Sequence, residues 1–124
     1  MNSSHLLQVL KTQLLLFLDE LIGILPNEPD FVVMRFLAKD QVPITLVMEY
    51  IIQNIVPLEP FVVNKDERFF LDHNISFIDM ADHGDKVDHF KRVWQSLTDE
   101  DNKEMIWNWF NYFIQIGKKY QAMN

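Results

Sequence analysis

The sequence predicts an all-α fold, a single compact domain over residues 1–124 with about five helices, the first and last of them long. Three observations lead there. Glycine and proline number 3 and 5 in 124 residues, against roughly 12% for the two together in an average chain. Sandwiches, barrels and phosphate-loop enzymes depend on glycine for tight turns, so all three are disfavoured. Apolar residues also recur at helical spacing near both ends of the chain. Finally, hydrophobic residues make up 48%, ten of them Phe, which is enough for a core and excludes a disordered chain.

The first helix is expected over residues 4–25. Leu7, Leu10, Leu14, Phe17, Leu21 and Ile24 fall at spacings of 3, 4, 3, 4 and 3, which lines one stripe. Ser3 or Ser4 can cap its first amides. Leu6, Leu15, Leu16, Leu18, Ile22 and Leu25 widen the stripe. A helix this apolar is central, or its second side, with Leu15, Leu18 and Ile22, meets a partner. Pro26 and Pro29 then stop it, since neither can donate a helical hydrogen bond.

Phe31, Met34 and Ala38 mark a short second helix ending near Asp40. Pro43 suits the start of the third, which Ile44, Val47 or Met48, Ile51 and Ile55 carry to Val56. A strand over residues 51–56 or 61–63 is the alternative, given the β-branched density; Asn54 and the prolines weigh against it. Residues 64–89 change character: loops are expected, with one helical piece near 65–71 or 76–80. Val87, Phe90, Trp94 and Leu97 define the next helix, capped near Asp85.

Thr98 is the expected cap of the last helix, with Asp99, Glu100 and Asp101 complementing its dipole and Lys118 and Lys119 in its last turn. Ile106, Trp109, Phe113, Ile116 and Tyr120 form its stripe. Trp107 and Ile114 share a different face. They form either a partner-binding edge or a surface packed beneath a neighbouring loop.

Eleven Lys and Arg against eighteen Asp and Glu give a net charge of −7. Nucleic-acid binding needs a basic face, and the only adjacent basic pairs are Lys91-Arg92 and Lys118-Lys119. No nucleic-acid partner is expected. The N-terminal stretch has at most five consecutive apolar residues, 14–18, where a membrane span needs about 20. It also lacks the basic start and cleavage site of a signal peptide. Without cysteine, disulfides and thiolate sites are excluded, and an intracellular setting is expected.

The segment 72–89 carries the candidate chemistry. Asp72-His73, Asp82-His83 and Asp88-His89 are three Asp-His pairs, with Asp79 and Asp85 between them. His and carboxylate are ligands for zinc, manganese or iron. His73, His83, His89, Asp79 and Asp85 are therefore the candidate ligands of an alternative reading, a metal-binding regulator or metal-dependent enzyme. The spacing aligns them on no single helix face, and H-E-x-x-H is absent. A calcium loop starting at Asp79 gains Gly84 at its sixth position but puts Ala81, His83 and Phe90 where ligands belong. None of Ser3, Ser4, Ser76 and Ser96 lies in a nucleophile elbow. The cluster of Trp107, Trp109, Phe110, Tyr112 and Phe113 reads as core from its helical spacing, with a partner-helix groove as the alternative; no Lys or Arg surrounds it for base stacking.

The run Phe17-Leu18-Asp19-Glu20-Leu21 is followed by Pro26 and Pro29-Asp30. Asn64-Lys65-Asp66-Glu67-Arg68-Phe69-Phe70-Leu71 comes mid-chain, and Thr98-Asp99-Glu100-Asp101-Asn102-Lys103-Glu104-Met105-Ile106-Trp107 leads to Lys118-Lys119-Tyr120. In these pieces, taken in order, the chain resembles a group of small helical proteins of large double-stranded DNA viruses of eukaryotes. The resemblance implies a viral source and a non-enzymatic role, in the host cytoplasm or the virion. The expectation is a non-catalytic interaction or structural protein without cofactor, acting by self-association or on a protein partner.

Overall fold

The computed structural model describes residues 2–71 and 89–123, and the described residues are mostly helical, without a strand. Helix α1 spans Ser3–Ile24. Its cap is Asn2, one residue ahead of the expected serines: Asn2 Oδ1 accepts from the His5 amide at 2.8 Å. Leu10, Leu14, Phe17 and Leu21 of the expected stripe are buried, with Leu6 and Leu18 beside them, whereas Leu7 and Ile24 are half-buried.

Helix α2 covers Pro29–Phe36 and runs into a π-helical turn, Leu37–Gln41. Its inner side is the expected one, with Phe31, Met34 and Ala38 buried. The turn closes where the Val42 amide donates to Leu37 O at 2.8 Å. Val42 is extended, as a residue ahead of proline should be. Helix α3, Ile44–Tyr50, follows Pro43 and ends in a second π-helical turn, Ile51–Ile55. The expected helix is found here, and not the strand alternative. Val47, Met48, Ile51 and Ile55 lie on one helical side and are buried.

Pro57 and Pro60 tighten the chain without breaking it. Val56–Leu58 is a 3₁₀ turn and α4 is Glu59–Val63, each with proline in its first turn, where no amide is needed. The stretch Ile44–Val63 has 20 residues of mean hydropathy 1.3 and is, among the described residues, long and apolar enough to cross a membrane by length and composition. Here its inner stripe is taken up by the core. Glu59 is held by Lys118 Nζ at 3.2 Å and by Gln115 Nε2 at 3.1 Å from the last helix.

Helix α5 is one turn, Arg68–Leu71, within the expected 65–71 piece. Helix α6 is His89–Ser96 and α7 is Glu100–Met123. The cap of α7 is Asp99 and not Thr98: Asp99 Oδ1 accepts from the Asp101 amide at 2.8 Å. The helix continues past Lys118 and Lys119 to Met123, so no base lies in its last turn.

Helices α1 and α7 meet through aromatic rings. Phe17 sits 5.8 Å from Phe110 and 5.6 Å from Phe113, both edge-on. On the other side of α7, α5 inserts two Phe rings. Phe70 stacks on Trp94 at 4.1 Å and lies 4.9 Å from Trp107. Tilted and edge-on pairs of this kind add about 0.5–1.5 kcal/mol each beyond area burial. They tie one-turn α5 into the core, where so short a helix could not stand alone.

Candidate functional site

The partner-contact residues read from the sequence do not form a surface. Leu18, Trp107 and Ile114 are buried, at 2%, 5% and 0% exposure. Leu15 and Ile22 are half-buried against the same core. The correction has a physical cause: α7 is covered on two sides. Phe17 of α1 packs on one, and Phe69 and Phe70 of α5 with Trp94 of α6 cover Trp107 on the other. Of the two expectations for Trp107 and Ile114, burial is the one found, but Trp107 lies beneath helices α5 and α6 and not beneath a loop.

Four of the metal candidates, His73, Asp79, His83 and Asp85, lie outside the described residues, as does the expected cap of α6. His89 begins α6. Among the described residues no group of three or more His, Asp or Glu could hold a metal ion. Of the four bases that nucleic-acid binding would need on one face, Lys118 is bound to Glu59, and Arg92 approaches Glu28 at 4.0 Å.

Two surfaces stand out instead. The first is the outer side of α2, where Val32, Val33 and Phe36 are 54%, 45% and 57% exposed. Their spacing is i, i+1, i+4, so they lie together on the side of the helix away from Phe31 and Met34. Arg35 fixes the helix on α1 through Asp19, with Nε 2.5 Å from Oδ1. The sequence carried this signal. Once Phe31, Met34 and Ala38 are assigned to the inner side, Val32, Val33 and Phe36 have no core to enter.

The second is an open cleft of about 530 Å³ between α1 and α7, lined by Gln13, Glu20, Met105, Asn108, Trp109 and Tyr112. Trp109 stands on Phe17 and Phe113, at 5.6 and 5.7 Å between centroids, and donates its indole N–H to Glu20 Oε2 at 2.8 Å. The Tyr112 ring lies 6.0 Å away at 76°. Periodicity places Trp109 on the core stripe, but its position at the edge of that stripe leaves part of the ring at the cleft.

A third space, between α1, α2 and α3, is lined by Leu14, Leu18, Met34, Leu37, Ala38, Val42 and Val47 and holds about 20 Å³. That is near the roughly 10–15 Å³ one water needs, and its apolar wall gives water no partner. It is a packing gap.

The fold and these surfaces define an all-α protein with apolar and aromatic surface features. No protein-family model, no curated protein and no solved structure matches the chain.

Proposed function

We propose that the protein is a non-enzymatic interaction protein that self-associates through the outer side of α2. The observation that carries this reading is the exposure of Val32, Val33 and Phe36 together on one helix. Clustered large apolar side chains on a surface are the mark of a contact site, whereas single ones are ordinary.

The partner is a second copy of this chain. A twofold axis crossing α2 near Met34 sets Val32 against Phe36 of the other copy and Phe36 against Val32, a self-complementary arrangement. The same pairing brings exposed Lys39, at the far end of the helical run, beside Glu28 of the other copy, twice. Lys39 has no ion pair within the chain among the described residues. Two charge pairs then flank an apolar centre.

The resemblance to small helical proteins of large DNA viruses would set this role in an infected cell or in the virion. Mass spectrometry of purified particles separates those settings.

Light scattering coupled to gel filtration tests the association. The expected result is a dimer at micromolar concentration, converted to monomer by Val32→Asp with Phe36→Asp and weakened severalfold by Lys39→Glu. A wild-type monomer across that range overturns the reading. So does a dimer unaffected by the α2 substitutions.

A further inference from the structure

We propose that the α1–α7 cleft is a binding site for an alkylammonium group, the head group of a lysine side chain or a simple organic amine. The site lies on helices other than α2 and stands independently of self-association.

Three features of the cleft select a cation. Two aromatic rings, Trp109 and Tyr112, stand 6.0 Å apart at 76° and form two walls of a corner. Ring faces attract cations through their quadrupole, and Trp and Tyr are the strongest such side chains. Beside them lies one carboxylate, Glu20, which has no ion pair among the described residues, while its neighbour Asp19 is already neutralised by Arg35. The lining also contains no Lys or Arg, so no resident cation competes for the corner.

The hydrogen bonding narrows the class. Glu20 Oε2 accepts the Trp109 indole N–H at 2.8 Å, which leaves Oε1 without a hydrogen bond among the described residues. A guanidinium gains its advantage over an ammonium by a two-pronged bond to both carboxylate oxygens. A two-pronged guanidinium would have to share Oε2 with the indole, whereas a compact ammonium needs only the other oxygen and so suits the site better. Gln13 and Asn108 supply amide oxygens for its remaining protons, and the unbranched Met105 side chain can follow an alkyl stem. Trp109 is also held before any ligand arrives, stacked near-parallel to Phe113 and bonded to Glu20. Little ordering remains to be done on binding.

The test is a nuclear magnetic resonance titration of the full chain at fixed ionic strength, following the Trp109 indole N–H and the Tyr112 ring. The probes are n-butylammonium chloride and an acetyl-Gly-Lys-Gly-amide peptide, with 1-butanol and methyl glucoside as neutral controls. Both cations are expected to move the Trp109 and Tyr112 signals along one saturating curve. The neutral probes should move neither. Glu20→Gln keeps an oxygen to accept the Trp109 N–H but removes the charge. It should weaken cation binding severalfold with the remaining spectrum unchanged. Tyr112→Ala, at an exposed position, should weaken it as well. Saturation by the free amine alone assigns the site to small amines, and saturation by the peptide as well assigns it to lysine side chains. Equal binding by the Glu20→Gln variant, an equal response to 1-butanol or methyl glucoside, or no saturating shift with either cation overturns the proposal.

Discussion

Gly117 and Val56 approach so closely that a Cβ on the glycine would lie 3.0 Å from Val56 Cγ2 and 3.2 Å from Ile51 Cγ2. Helix α7 therefore rests its bare backbone on the chain ahead of Pro57. Both facing side chains are β-branched and stiff about χ1, so neither can swing aside cheaply. Alanine in a helix gains about 1 kcal/mol over glycine, but overpacking costs about 1–3 kcal/mol. Gly117→Ala is expected to destabilise by about 1 kcal/mol. Gly23, in the last turn of α1, has nothing within 4 Å of its would-be Cβ. Gly23→Ala should stabilise by somewhat less than about 1 kcal/mol. Urea midpoints at unchanged slope measure both, and the two variants should move in opposite directions.

The start of α7 offers a second contrast. Asp99 accepts from the Asp101 amide, and its own carbonyl accepts from the Lys103 amide at 3.1 Å. Those are the two bonds an N-cap makes. Asp99→Ala should cost about 1 kcal/mol, and Asp99→Asn should keep most of that. Thr98 is exposed, so Thr98→Ala should fall within about 0.5 kcal/mol of wild type. The same unfolding measurement would restore Thr98 as the cap if its alanine variant proved the weaker of the two.

The displaced caps show what sequence reasoning can reach here. Asn2, Ser3 and Ser4 are all capping residues in a row, as are Thr98 and Asp99, so composition locates the helix start only to within a residue or so. The buried stripes were legible because helical periodicity is local: Leu10, Leu14, Phe17 and Leu21, and Ile106, Phe113 and Ile116, are buried where the spacing puts them. The second covered side of α7 was not legible. Trp107 is buried by Phe70 and Trp94, which reach it from other helices, and no local pattern encodes that meeting. Both π-helical turns lie just ahead of a proline, at Pro43 and Pro57. The prolines were visible, but the widened turns that lead into them depend on packing. The same limit explains the candidate sites. In the sequence Leu18 reads as a partner contact because α1 is apolar on more than one side, yet Met34, Ala38 and Val47 lie around it. The exposed face of α2 is harder to read, because in a helix of eight residues the apolar spacing marks only the side that is buried.

Asp66 provides the pH-dependent term. The Arg68 side chain donates to both of its oxygens, with Nη2 2.6 Å from Oδ2, and the Arg68 amide donates to Oδ1 at 3.0 Å. The Arg68 side-chain hydrogen bonds first, and the backbone one second, hold the Asp66 carboxyl below its ordinary value of 3.8. A carboxylate whose pKa is lower folded than unfolded stabilises the fold fully above its unfolded value. That contribution fades as the pH falls through the folded value. The order around α5 should therefore be unchanged at neutral pH and weaken only below about pH 4. Carbon-detected titration of the Asp66 carboxyl should give a midpoint under 3.8. In Asp66→Asn the loss of stability between pH 5 and pH 3 should be smaller than in wild type, and an identical pH profile would remove Asp66 from the account.

Lys65 tests the turn between α4 and α5. Its φ of 51° lies in the left-handed region, which a residue with a Cβ enters at a cost of roughly 1–2 kcal/mol. The turn imposes that conformation. The Asp66 amide donates to Phe61 O at 2.8 Å and the Lys65 amide to Val62 O at 3.1 Å, the paired bonds that end a helix on a left-handed residue. Glycine would relieve the strain. It would also lose the Lys65–Glu104 ion pair, 2.5 Å long but half exposed at both ends, and such pairs contribute about 0–1 kcal/mol. Glycine's greater freedom in the unfolded chain costs about 0.4–1 kcal/mol more. The strain term is the largest of the three, but the other two offset most of it. Lys65→Gly is therefore expected to stabilise by no more than about 0.5 kcal/mol. Salt separates the contributions. In about 1 M NaCl the ion pair is screened while the strain is not, so the advantage of Lys65→Gly over wild type should grow with added salt. If it shrinks, the ion pair is not what holds the substitution back.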